Sequence, residues 1–284
     1  MNGIMLREET KNLARKYGVR LRKEKDQSHL VDKNILERIT DYADIASDEK
    51  VLEIGPGLGN LTKYLLRTDG LIASVEKDDK LVKVLKERFR KDELEIIHGD
   101  ILEIDLPDFD KVVSNLPYSI SSPVSFQLAE KDFDLGILMY QKEFADRMFA
   151  EPGASEYSRL SVNLSLHYEV ELLEEVSSDK FFPQPEVSSS IVKISPANPS
   201  FEIKNEDIFH KIVKGVFQHR RKKLRNGIYN SFNQIFPDLD FSNEKEKRFF
   251  IDDNIPKEIQ GKRPGKITPE EFSKLANSFS EEEN

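Results

Sequence analysis

With 284 residues and 38% hydrophobic content, the chain is long enough to bury a large first domain and a small second one. It contains no cysteine, which removes disulfides, thiolate zinc sites and cysteine nucleophiles, and its five histidines lack ligand spacing, so no metal site is expected. A net charge of −9 argues against a general polyanion binder, because gripping phosphates takes Lys and Arg.

The first ten residues, MNGIMLREET, lack a signal peptide's apolar core, and no apolar run reaches the roughly 18 residues of a membrane span. A cytoplasmic protein without membrane attachment is expected. Charge is unevenly spread, however. Residues 1–26 hold eight Lys/Arg against four acids, and His219-Arg220-Arg221-Lys222-Lys223-Leu224-Arg225 is a second basic cluster. One such run is usually a solvated face, but two on an acidic chain point to polyanion contact.

After the basic segment comes Gln27-Ser28-His29-Leu30, and then Asp32 as N-cap of a helix with Ile35, Leu36, Ile39, Tyr42 and Ala43 at helical spacing. Val51-Leu52-Glu53-Ile54 predicts a strand, Gly55-Pro56-Gly57-Leu58-Gly59 a loop, and residues 60–66 an amphipathic helix. Glycines in that place permit positive φ and let a ligand lie against bare backbone. A dinucleotide site wants G-x-G-x-x-G; here the sixth position is Asn60 and the glycines fall as G-x-G-x-G. With Glu53 ahead of them, the acid-x-G-x-G-x-G pattern resembles the first motif of S-adenosylmethionine-dependent methyltransferases.

Residues 71–75 predict a second strand ending in Glu76, where a carboxylate can accept both hydroxyls of a ribose. A helix with Leu81, Val84, Leu85 and Phe89 follows, then a third strand at 94–98 that closes on Gly99-Asp100, a bland turn or an acceptor for an adenine amine. Residues 111–114 form the fourth strand and deliver Asn115-Leu116-Pro117-Tyr118. Those four residues suit a planar amine: Asn115 Oδ1 and a loop carbonyl each accept one N–H, and Tyr118 covers the ring face. An adenine N6 amine fits, although Asn, Pro and Tyr also make ordinary turns. A helix at 121–130 and a fifth strand at 135–139 complete an alternation that implies a mostly parallel sheet, with Glu76, Asp100 and Asn115 on its carboxyl edge.

Residues 141–167 hold a loop and further helix, and 168–176 with 187–194 read as a closing antiparallel pair. Between them Phe181-Phe182-Pro183-Gln184-Pro185-Glu186-Val187 is a stiffened loop; either Phe suits the core, Phe182 is assigned to it, and Phe181 is open to the alternative of a second wall for a flipped base. Ser195 to Ser200 reads as a linker, after which Ile208, Phe209, Ile212, Val213, Val216 and Phe217 mark a helix running into the second basic cluster. The rest, with a helix at 269–277 and the acidic tail Glu281-Glu282-Glu283, suggests a small helical domain. The expected division is 1–195 and 200–284.

Taken together, QSHL (27–30), LEIGPGLGNLT (52–62), Glu76, GD (99–100), NLPYSIS (115–121), FFPQPEVSS (181–189) and FQHRRKKLRN (217–226) resemble, in order, the ribosomal RNA adenine N6-dimethyltransferase family (KsgA type), related to the erythromycin-resistance methyltransferases. The resemblance implies an α/β fold, a Rossmann-like S-adenosylmethionine methyltransferase sheet with a small helical C-terminal domain. It implies Ser28, Leu30, Gly55, Glu76, Asp100 and Asn115 at the cofactor, Asn115, Pro117 and Tyr118 at the chemistry, and Tyr118, Phe181, Arg220, Arg221, Lys222 and Lys223 on the substrate. The implied substrate is two adjacent adenosines near the 3′ end of small-subunit ribosomal RNA, met by a monomer within the assembling small subunit as part of ribosome biogenesis. One departure stands out: the family commonly has Gln-Asn-Phe-Leu where this chain has Gln27-Ser28-His29-Leu30, which leaves open whether Ser28 replaces the Asn contact, through its shorter hydroxyl or its backbone. Two alternatives remain, an amino methyltransferase for DNA adenine or protein glutamine, and a non-catalytic ribosome-assembly factor on the same scaffold.

Overall fold

The computed structural model describes residues 3–19, 21 and 28–280. Gln27, the basic residues Arg20, Arg22, Lys23 and Lys25, and the acidic tail 281–283 lie outside the described residues. The chain forms two compact units, Met1–Ala145 with Tyr168–Pro196, and Asp146–His167 with Ala197–Asn284.

The first unit opens with helix α1 (Gly3–Lys16), the two-residue strand β1 (His29–Leu30) and α2 (Lys33–Ala43). Asp32 caps α2 as expected, its carboxylate accepting from the Asn34 and Ile35 N–H groups. Strands β2 (Lys50–Ile54), β3 (Leu71–Glu76), β4 (Leu94–His98), β5 (Lys111–Asn115) and β6 (Leu135–Gln141) alternate with α3 (Thr62–Leu65), α4 (Asp79–Arg88) and α5 (Ser121–Leu128). Helix α6 (Lys142–Met148) follows β6, α7 (Arg159–Leu164) belongs to the second unit, and β7 (Tyr168–Val176), β8 (Phe181–Phe182) and β9 (Ser189–Pro196) return to the first.

The main sheet runs β4-β3-β2-β5-β6-β9-β7. Pairings from β4 through β6 are parallel, whereas β9 joins β6 and β7 antiparallel. Residues of β5 and β6 are buried almost without a break because both sheet faces are covered, which is why they read as continuous apolar runs. The expected helix at 60–66 is shorter than its pattern: residues 57–61 are turn and only Thr62–Leu65 is α-helical. The glycine loop needs those residues to bend back before a helix can start. Helix α1 was not anticipated, although Leu6, Thr10 and Ala14 are its buried stripe at i, i+4, i+8.

The second unit is helical: α7, α8 (Glu206–Gln218), α9 (Leu224–Asn230), α10 (Phe232–Ile235), α11 (Glu244–Asn254) and α12 (Pro269–Ser280). Its core holds Phe209, Phe232, Phe236, Phe272 and Phe279, with Tyr157 and Val162 from the 146–167 segment. Those two contributions, with Tyr157 Oη donating to the Ile267 carbonyl at 2.7 Å, place 146–167 with the second unit rather than with the first as the sequence suggested.

Candidate active site

The order of the sheet prepares a crevice. From β2 the chain moves outward to β3, while β5, its other neighbour, leads the opposite way to β6. Backbone pairing of β2 with β5 covers Val51 with Lys111 and Leu52 with Val112; beyond it the strand ends are joined by Ser114 Oγ donating to the Ile54 carbonyl at 2.5 Å. Ligands in open α/β sheets bind at such a switch point. A cavity of about 630 Å³ lies there, within the usual size of small-molecule sites, and all its lining residues belong to the first unit.

One wall is the glycine loop with the end of β3. Gly55 and Gly57 have φ of +64° and +60°. The Gly57 N–H donates to Glu76 Oε2 at 3.1 Å, and the Asp78 N–H donates to Oε1 at 3.0 Å. Burial pushes the Glu76 carboxyl up while these backbone donors pull it back. A carboxylate has about four lone-pair sites, so acceptor capacity for a ligand hydroxyl remains beyond the backbone donors of Asp78, Gly57 and Lys77. Beneath the loop Glu53, 1% exposed, accepts at Oε2 from Thr62 Oγ1 at 2.7 Å and Ser74 Oγ at 2.9 Å. Its burial drives it up to about 7, against the pull of the two hydroxyls and with a further push from Glu76.

Asp100 lines the cavity where expected, its Oδ1 accepting from the Leu102 N–H at 3.1 Å and its Oδ2 lying 3.5 Å from Lys77 Nζ. His98 is outside this set and meets Asp79 Oδ1 at 3.2 Å, at the strand end. The opposite wall is Asn115-Leu116-Pro117-Tyr118. Asn115 Nδ2 donates to the Ser28 carbonyl at 3.4 Å, an acceptor only, which fixes the other end of the amide as its oxygen. Tyr118 Oη and Ser189 Oγ share a hydrogen bond of 2.6 Å, so the ring is anchored to β9.

Ser28 and the β1 residues His29 and Leu30 close the cavity. The His29 ring fills the space beside Gly57, where a β-carbon would come 2.6 Å from its Cε1. Its Nε2 is buried without a hydrogen-bond partner among the described residues, and burial, with repulsion from Arg88, holds the imidazole down at about 4. Here the imidazole is a neutral, shape-filling ring, which fits a position where the resembling family has Phe.

Two assignments need correction. Phe181 is 0% exposed and sits in the core with Leu30, its antiparallel partner, so it is no wall for a base. Phe182, expected in the core, only borders it: it packs against the same cluster but is partly exposed, with Lys11 Nζ 5.3 Å and Arg7 Cζ 6.0 Å from its ring centre. As expected, a helix, α8, leads into the basic cluster, and 220–223 form the turn between α8 and α9 in the second unit. Arg221, Lys222 and Lys223 are exposed on it, whereas Arg220 Nη2 donates to the Ala154 and Ser155 carbonyls at 3.2 and 2.6 Å and so ties down the 151–155 loop.

Asn60 and Ser189 were missed as site residues. Asn60 stands at the position that breaks the dinucleotide pattern, and Ser189 ends the FFPQPEVSS motif; each lies inside a quoted motif, but its partners are far away in sequence.

With this geometry in place, comparisons identify the chain's relatives. The family model described as "Ribosomal RNA adenine dimethylase" matches residues 18–253. The chain is 42% identical to a "Probable ribosomal RNA small subunit methyltransferase A" of Methanothermobacter thermautotrophicus, covering 96% of each, and 39% identical to the "Ribosomal RNA small subunit methyltransferase A" of Halothermothrix orenii, covering 95% of this chain and 92% of that one. A dimethyladenosine transferase from Plasmodium falciparum superposes with a TM-score of 0.74 at 31% identity over 88% of this chain and 96% of its own. The fold is also shared with the 23S rRNA methyltransferase ErmE, TM-score 0.62 at 24% identity over 88% and 98%. The chain belongs to the ribosomal RNA adenine dimethylase family, S-adenosylmethionine-dependent enzymes that methylate adenine in ribosomal RNA.

Proposed function

We propose that this enzyme dimethylates N6 of two adjacent adenosines near the 3′ end of small-subunit ribosomal RNA, acting on the assembling small subunit in the cytoplasm. The observation that carries the reading is one cavity with two walls: the glycine loop with Glu76 and Asp100 on one side, Asn115 to Tyr118 on the other. The first wall suits S-adenosylmethionine. Glu76 has acceptor sites for ribose hydroxyls, Asp100 for the cofactor's adenine amine, and the positive-φ glycines leave bare backbone beside them. Leu30 is a buried apolar wall, and Ser28 takes part through its backbone carbonyl, which holds Asn115. When bound, the cofactor supplies a methyl group on a cationic sulfur, an electrophile that needs no metal.

Adenine N6 is a weak nucleophile because its lone pair is delocalised into the ring. In the first transfer Asn115 Oδ1 and the Leu116 or Pro117 carbonyl accept its two hydrogens, favour a pyramidal nitrogen and aim its lone pair at the donor, which is orientation with electrostatic preorganisation; each transfer releases one proton from the nitrogen to water, so in the second one of these acceptors holds the single remaining hydrogen. Pro117 keeps the carbonyls of this turn in place. Extracting a base from its stack costs a few kcal/mol, and stacking on Tyr118 returns roughly 1–3 kcal/mol. With Phe181 in the core, that stacking rests on the ring anchored to Ser189. A monomer is the working unit in this reading.

At a net charge of −9, affinity for protein-free RNA should be modest, and a folded subunit that presents the adenines supplies what charge does not. Under-methylated small subunits and deproteinised small-subunit RNA, compared at matched salt with nucleoside mass spectrometry, test this. Dimethyladenosine should form faster on the subunit; an equal or faster rate on bare RNA would overturn the assembly requirement.

A further inference from the structure

Helix α1 carries a set of contacts that neither the chemistry nor RNA binding uses. Thr10 is completely buried on α1. Its Oγ1 donates to the Leu6 carbonyl at 2.8 Å and accepts from Asn60 Nδ2 at 3.0 Å. The second Nδ2 hydrogen of Asn60 goes to the Leu30 carbonyl at 2.9 Å. A carbonyl only accepts and a guanidinium only donates, so the amide has one allowed orientation: Nδ2 toward Leu30, and Oδ1 toward Arg88 Nη1 at 3.5 Å. Arg88 Nη1 also donates to the Leu58 carbonyl, and its Nη2 meets Glu9, again from α1. The network is closed: both amide hydrogens and the threonine proton have acceptors.

Two of its members, Asn60 and Leu30, line the cofactor cavity, and Leu58 lies between the glycines of the loop. Ala14 of α1 packs with Leu58, Leu81 and Val84, so apolar contact seats the helix on the same loop. On its other side Arg7 Nη2 donates to the Asp179 carbonyl at 2.7 Å, beside β8. We infer that Thr10 and Glu9 are positioning residues for cofactor binding, acting through Asn60 and Arg88 to fix the glycine loop and the Leu30 backbone. This rests on the cofactor reading of the cavity given above. The physical cause is preorganisation: a loop already held in its bound shape loses less freedom when the ligand enters.

The test is Thr10→Val, which keeps the shape and removes the hydroxyl, leaving a buried amide hydrogen without an acceptor. Thr10→Ser restores the hydroxyl, and Glu9→Gln, at a partly exposed position, weakens the Arg88 contact with little risk to folding. S-adenosylmethionine affinity is measured by calorimetry, and turnover is measured at saturating cofactor. Thr10→Val should raise Kd about tenfold, from the loss of one buried hydrogen bond, with turnover at saturation unchanged. Thr10→Ser should return Kd to within about twofold, and Glu9→Gln should raise it by a smaller factor in the same direction. Lowered thermal stability with unchanged Kd in Thr10→Val and Glu9→Gln, or a serine variant no better than valine, would overturn the inference. Glu76→Ala run in parallel separates the two readings. If it loses affinity while the α1 variants do not, only the positioning role falls; if none of the variants changes affinity, the cofactor reading falls with it.

Discussion

Gly55 lies against Pro117: a β-carbon on Gly55 would stand 3.2 Å from both Cδ and Cγ of the proline. This contact brings the glycine loop after β2 and the Asn115 turn after β5 to the same crevice. A side chain at this position would be strained, since φ is +64° there and the neighbour is a rigid ring.

Gly55→Ala should therefore destabilise the protein by about 1–3 kcal/mol, the usual range for a strained backbone position, and weaken cofactor binding. Denaturant unfolding together with cofactor titration checks both; a variant of native stability and affinity would mean that the loop relaxes without cost.

Asn115→Ala should abolish methyl transfer while cofactor binding stays measurable, because the proposed cofactor contacts of Glu76 and Asp100 lie on the other wall. A single-turnover assay on under-methylated subunits with a parallel binding measurement reads this. Near-normal turnover would remove Asn115 from the chemistry.

Tyr118→Phe separates the stacking face from its anchor. The ring stays, but its hydrogen bond to Ser189 Oγ is removed. Expected is a fall in turnover at saturating cofactor of about tenfold or less, from one hydrogen bond, and a larger fall for Tyr118→Ala, with cofactor affinity near normal in both. Equal losses in the two variants would show that the anchor, not the ring face, is what matters.

Two buried groups give the apo protein opposing pH dependences. Glu53 is raised from 4.5 to about 7, so its contribution to stability is full below pH 4.5 and is lost as pH rises toward 7. His29 is lowered from 6.5 to about 4, so its contribution is full above pH 6.5 and is lost as pH falls toward 4. Between about pH 4.5 and 6.5 the slopes oppose, each at most about 1.4 kcal/mol per pH unit. Glu53→Gln should make stability rise more steeply with pH across that window, and His29→Phe should make it fall. Denaturation series from pH 4.5 to 7 check the two signs independently.

Replacing Arg221, Lys222 and Lys223 by Gln should weaken substrate binding and flatten its salt dependence, by about 0.7–0.9 in log–log slope for each phosphate no longer neutralised by a side chain. Arg220 belongs in a separate variant, because its replacement would free the 151–155 loop as well as remove a charge. An unchanged slope would make the turn a solvated surface.

Much of the fold was legible because its signals are local. The Asp32 cap, the parallel strands from β2 to β6 and the closing pair β7 and β9 follow from side-chain periodicity and turn residues within a few positions of each other. The cavity edge was legible for the same reason: in an alternating α/β chain the carboxyl ends of the parallel strands fall on one side, which gathers Glu76, Asp100 and Asn115. What the linear pattern left undecided depends on partners distant in the chain. Phe181 and Phe182 are equivalent as sequence, and only pairing of β8 with β1 turns the first into the core and leaves the second beside Lys11. Tyr157 and Val162 carry no local mark of belonging with residues after 200; the helical core that covers them does that. Thr10 and Asn60 are fifty positions apart, and the hydrogen bond that couples them exists only because tertiary packing seats α1 on the glycine loop.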